Sequence, residues 1–217
     1  MKRIFLIALL IFVMIFSAGA AKKSSSSNLN PDEIKRMGIF LSNFTEVGLF
    51  KFNLENGDDE DMLYFGDSNN MDELICFGIG HNIINNKKLI GKCTRKNCEY
   101  GSEIISAKAV ADSVRKYFDL PVKHQSIIDG ETRDYPPFVE YDGKSYHFNK
   151  NDWLTDTTYY ADVQEVEKND GIITMKGELY DINDKSERPA TFTATAKPYN
   201  WNKKDTWSIL SLNVEWR

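Results

Sequence analysis

The side chains best suited to chemistry in this sequence are its three cysteines and three histidines. Cys76 and His81 have four residues between them, and so do Cys93 and Cys98. Together the two pairs offer the sulfur and nitrogen ligands that tetrahedral zinc takes. Cys76 falls within an apolar run, however, where a cysteine more often serves as a small hydrophobic side chain, and no metal is predicted. The odd cysteine count argues against a disulfide framework. The residues read either as one Cys93–Cys98 disulfide or as three free thiols. His124 and His147 have no cysteine or carboxylate at a recognisable spacing and read as surface or half-buried imidazoles. The run Asp58, Asp59, Glu60, Asp61 raises calcium, but calcium takes roughly six to eight oxygens, usually at alternating positions around a glycine turn. Four consecutive carboxylates diverge instead, as in a solvated acidic loop. Trp153, Tyr159 and Tyr160 form the candidate binding cluster, because such rings line pockets and bind glycans as well as filling cores and rims. No acid, base and nucleophile converge along the chain, so no catalytic residue and no cofactor is predicted.

What must position these residues begins after an export signal. Lys2 and Arg3 precede an unbroken apolar run, Ile4 to Phe16, and Ser17-Ala18-Gly19-Ala20 supplies small residues for cleavage before Ala21. The run is shorter than the roughly 20 residues a spanning helix needs. The sequence therefore divides into a signal peptide over 1–20, a Ser-rich disordered tether over 21–30 and one α+β domain over 31–217. Lys2 and Arg3 are the only charges in the signal, so 27 basic side chains fall to 25 against 32 acidic ones, a net of −7. Nucleic-acid and anionic-membrane binding need clustered Lys and Arg, so neither nucleic acid nor membrane insertion after cleavage is expected. The location implied is secreted, periplasmic or cell-envelope.

Asn30, Pro31, Asp32 and Glu33 make a strong helix start, and Ile34, Met37, Leu41 and Phe44 recur at helical spacing, predicting a helix over 31–46. Asp67 or Ser68 is placed to cap a second helix over 70–79, weakened at its end by Gly78 and Gly80. A third helix over 106–119 starts at Ser106 and is stopped by Pro121. The period then changes to two. Residues 138–148 read as a hairpin turning at Asp142-Gly143, with Val139, Tyr141, Tyr146 and Phe148 on one face and His147 on the other. Strands over 172–180, 190–197 and 207–216 follow, with an ambiguous one at 159–166. The expectation is sequential antiparallel pairing, with the hairpin in the same layer. Ile173, Met175, Leu179, Phe192, Ala194, Ala196, Leu210, Leu212 and Val214 face inward, and the third helix covers them through Val110, Val114 and Phe118. Helices first and strands later predict α+β: N-terminal helices packed on a curved antiparallel sheet built mainly from the C-terminal half.

That element order resembles the cone-shaped nuclear-transport-factor-two-like fold, and Phe40-Leu41-Ser42-Asn43-Phe44-Thr45-Glu46 is similar to a helix segment of exported bacterial proteins of unknown function. Phe65-Gly66-Asp67-Ser68 resembles the nucleophile block of GDS-type lipases and esterases, which would make Ser68 the nucleophile. That family places its base in Asp-x-x-His near the C-terminus. Here the last histidine is His147, with Lys144 three residues before it, so the serine lacks the base it needs. The function expected is a non-enzymatic exported domain that binds an unknown protein or small molecule. Any pocket is expected between sheet and helices. The rival is a hydrolase of envelope or extracellular material using dispersed acids such as Asp162 or Glu165.

Overall fold

Asn30 starts the first helix as its type predicts: its side chain accepts the Asp32 N–H at 3.0 Å, and α1 runs Pro31–Thr45. The computed structural model describes residues 30–55, 57–66, 70–96, 98, 100–128, 137–153 and 158–217. Residues 1–29, where the signal peptide and most of the tether are expected, lie outside the described residues, as do Asp67 and Ser68. Two further helices, α2 (Met71–Asn85) and α3 (Ala107–Phe118), combine with two sheets of mostly antiparallel strands, so the fold is α+β. No described helix is long and apolar enough to cross a membrane.

The first sheet contains β1 (Lys51–Asn53), β2 (Leu63–Tyr64), β8 (Tyr159–Asn169), β9 (Ile172–Asp181), β10 (Ala190–Trp201) and β11 (Lys204–Trp216), in the order β2-β1-β11-β10-β9-β8. Strands β8 to β11 pair antiparallel in chain order. Eight of the nine residues expected to face inward are buried, Leu212 at 1 % exposure among them. Leu210 is the exception. Thr195 pairs with Ser211 but Ala196 pairs with Ile209, so Leu210 is the extra residue of a bulge. One inserted residue reverses the alternation, and Ile209 and Trp207 occupy the inward positions instead. Strand β8 would expose an unpaired edge. Helix α1 lies along it, with Ser42 Oγ accepting the Ala161 N–H at 3.0 Å and Thr45 Oγ1 donating to the Tyr159 carbonyl at 2.6 Å.

The 138–148 hairpin does not join this layer. It belongs to a second sheet, β3 (Gly91–Lys92), β4 (Glu103–Ser106), β5 (Ile127–Ile128), β6 (Pro137–Tyr141) and β7 (Ser145–Phe148), ordered β3-β4-β7-β6-β5. The reason lies in α2, whose apolar residues face two ways. Leu74 and Phe77 join the large core with α1 and the first sheet, while Ile75, Ile79 and Ile83 join a second core with Ile105, Val139, Tyr146 and Phe148. Helix α3 divides likewise: Val114 and Phe118 enter the first core, Val110 the second. A helix with apolar residues on two faces must be covered on both. Nor does α2 end at its glycines. A Cβ on Gly78 would lie 2.6 Å from Val110 Cγ1 and 2.9 Å from its carbonyl, so the glycine permits the close α2–α3 approach that keeps the helix intact to Asn85.

Candidate metal centre

The second sheet brings Cys93, Cys98 and His147 together. Lys92 and Glu103 pair across β3 and β4 and are joined by an ion pair of 2.7 Å. Cys93 extends the ladder, its N–H donating to the Ser102 carbonyl at 2.9 Å. The connection returns through Gly101 at φ +135°, where a Cβ would sit 2.0 Å from the Phe148 carbonyl. Only glycine fits that conformation and that approach, which seats the loop over β7. Beneath it, His147 pairs with Ile104 on one side and Glu140 on the other. His147 was expected at the surface or half-buried; it is 1 % exposed, because Cys93 and Cys98 lie over the face that strand alternation turns outward.

The sulfurs of Cys93 and Cys98 lie 3.3 and 3.6 Å from His147 Nδ1. The other ring nitrogen, Nε2, lies 3.0 Å from Asp142 Oδ2. Asp142 also accepts the Lys144 and Ser145 N–H groups at 2.9 and 2.7 Å and Arg95 Nη2 at 2.8 Å, while Arg95 Nη1 donates to Glu140 at 2.7 Å. The hydrogen bond from His147, then the two backbone donors, hold the Asp142 carboxyl well below the usual carboxylate range. An ionised carboxylate only accepts, so Nε2 carries hydrogen, and Nδ1 faces the two sulfurs. A hydrogen bond from Cys98, with help from the Arg95 N–H and His147, lowers the Cys93 thiol; burial raises that of Cys98. Cys93, Cys98 and His147 form the one group of three or more Cys, His, Asp or Glu among the described residues whose ligand atoms all lie within 4.8 Å of one another.

Asp142 performs this role because the hairpin turns one residue later than expected. Tyr141 pairs with Tyr146 and Glu140 with His147, and the Asp142 N–H donates to the Ser145 carbonyl, leaving Gly143 and Lys144 at the tip. The Asp-x4-His spacing across a turn was visible in the sequence and was missed, since it acquires meaning only from this register.

The other half of the four-ligand set is elsewhere. Cys76 packs against the second core, and burial, with Glu73 and Asp72, pushes its thiol up to about 12. His81 belongs to a buried chain. Asn82 Nδ2 donates to Ser113 Oγ at 2.8 Å, Ser113 lies 3.1 Å from His81 Nδ1, His81 Nε2 lies 3.2 Å from the Tyr117 hydroxyl, and that hydroxyl donates to Asn43 Oδ1 at 2.9 Å. The amides at both ends set the direction of every bond. Burial, then the Lys116 charge, lower His81 to about 4, so the apparent Ser–His dyad has a weak, fully committed base and serves the fold.

The three aromatic candidates occupy separate environments. Trp153 stacks on Phe138, Tyr159 meets Phe50 and Trp216, and Tyr160 meets Tyr180. The space between the first sheet and the helices is filled by Phe40, Phe44, Phe77, Tyr117, Phe118 and Trp207. A cleft of about 470 Å³ opens between α1 and the β8 edge instead, where Tyr160, Tyr180 and Asp162 face Ile39 of α1 and Glu46 just after it. His124 lies 2.7 Å from the Tyr146 hydroxyl. In the acidic loop, Asp59 pairs with Lys51 at 3.5 Å. Compared with known protein families, curated proteins and solved structures, the chain matches none.

Proposed function

We propose that this is an exported domain that works by binding, and that its ligand is a thiophilic divalent cation, zinc above all, held by Cys93 Sγ, Cys98 Sγ and His147 Nδ1. The observation that carries the reading is the convergence of two sulfurs on one imidazole nitrogen whose ring is oriented from behind by a carboxylate. Soft sulfur with imidazole selects zinc over calcium or magnesium, and a carboxylate on the far nitrogen both fixes the tautomer and strengthens the ligand. Two thiolates and a neutral imidazole balance the charge of a divalent ion. Three protein ligands leave a fourth position for water or for a group of the binding partner. Export rests on the Lys2–Ala20 pattern.

The test is zinc uptake by reduced protein, read with a chromogenic chelator. One equivalent is expected, lost in Cys93→Ser, Cys98→Ser and His147→Ala and retained in Cys76→Ser. No uptake, or uptake indifferent to Cys98→Ser, overturns the reading. The rival is a thiol hydrolase with Cys93 as nucleophile, His147 as base and Asp142 as orienting group, favoured by the same alignment of Sγ, Nδ1, Nε2 and carboxylate. That enzyme needs one cysteine, so an ester- or amide-cleaving activity that survives Cys98→Ser and chelation would establish it.

A further inference from the structure

We propose that Cys93 and Cys98 are also a dithiol–disulfide pair, so that oxidation expels the cation and reduction rebuilds its site. This rests on the metal reading above and adds its regulation. The two sulfurs lie within 4.8 Å of each other and of His147 Nδ1, with only four residues between them in the chain. All three cysteines are free thiols here. A sulfur engaged in a disulfide has given up the thiolate charge that binds zinc, so forming the Cys93–Cys98 bond removes two of the three ligands and leaves a single imidazole.

The scaffold of the site is held without the ion. Arg95 bridges Glu140 and Asp142, Asp142 holds the His147 ring, and the Cys93 N–H is tied to β4. Loss of the cation therefore leaves the two sulfurs facing one another. Cys76 makes no such pair: it is on α2 against the second core, and its raised thiol keeps it protonated and a poor nucleophile.

The oxidant is a low-molecular-weight disulfide. One cysteine thiolate attacks a sulfur of that disulfide, forming a mixed disulfide and releasing one small thiolate. The second cysteine then displaces the other small thiolate and closes the Cys93–Cys98 bond. The protein pair loses two electrons, the small disulfide gains them, each released thiolate takes a proton from solvent, and the zinc ion leaves hydrated. For an exported protein, occupancy of the site would thus follow the redox state outside the cytoplasm.

The experiment adds oxidised glutathione to reduced, zinc-loaded protein and follows free zinc with a chromogenic chelator while alkylation and peptide mass count the thiols. The expected result is release of the bound equivalent together with loss of two of the three alkylatable thiols, mapped to a Cys93–Cys98 disulfide. Dithiothreitol and fresh zinc should restore both, and Cys76→Ser should behave identically. Zinc that stays bound under oxidised glutathione, or a disulfide that includes Cys76, overturns the switch and leaves the metal reading standing. Reduced protein that takes up no zinc overturns both.

Discussion

Strands β8 to β11 of the first sheet are 10 to 13 residues long, whereas no strand of the second sheet exceeds five. Long strands repeat their alternation often enough to make a register slip costly, because a slip exposes a whole buried face. Their inner face meets α1, α2 and α3 through a continuous aromatic core. The second sheet has few such repeats. Its register is reinforced by side chains: Lys92 to Glu103, Ser102 to Glu103, Arg95 to Glu140 and Asp142, and His147 to Asp142. A layer joined by polar ties can hold a ligand centre, and its stability can respond to what that centre binds. A layer sealed by rings has no such handle.

The sharpest test of this contrast is Phe44→Ala. Phe44 is fully buried and packs against Phe40, Phe52, Phe77, Tyr117 and Phe118, so truncation should cost about 3–5 kcal/mol, measured by urea unfolding. An effect below 1 kcal/mol would refute the first core as the main source of stability.

The next expected effect belongs to His81, between the layers. Its folded pKa is lowered to about 4 from an ordinary 6.5, so between those values the unfolded chain binds the extra proton. The stabilisation is complete above 6.5 and is lost as pH falls towards 4. It amounts to about 3 kcal/mol for a shift of this size. In metal-free protein, His81→Gln should flatten the fall in unfolding free energy over that window. An unchanged slope would show that His81 does not carry it.

Zinc should act on the second sheet. At free zinc about 100-fold above its dissociation constant the reduced protein gains about 2.7 kcal/mol, and the added hydrogen-exchange protection should concentrate in β3, β4, β6 and β7. Protection rising equally in β9 and β10 would blur the distinction between the layers. Smaller still, Asp142→Asn should weaken zinc binding about 10- to 100-fold. An amide cannot accept from Lys144, Ser145, Arg95 and His147 at once, and its NH2 would face N–H donors. Unaltered affinity would remove Asp142 from the site.

The sequence by itself determined what depends on neighbours along the chain. Asn30 and Ser106 mark helix starts because a side-chain acceptor meets an N–H two or three residues away. The existence of strands at 172–180, 190–197 and 207–216 follows from alternation along the chain. Tertiary structure decided whatever depended on a count or a partner. One extra residue at Leu210 exchanged it for Ile209. The two-sided apolar surface of α2 called for a second sheet, a signal present in Leu74, Ile75, Phe77 and Ile79 but unreadable until both sides found partners. Cys93 and Cys98 are separated from His147 by about fifty residues that carry no spacing rule. Their meeting depends on the β4–β7 pairing and on Gly101 passing over Phe148, and a contact made by folding leaves no period in the chain.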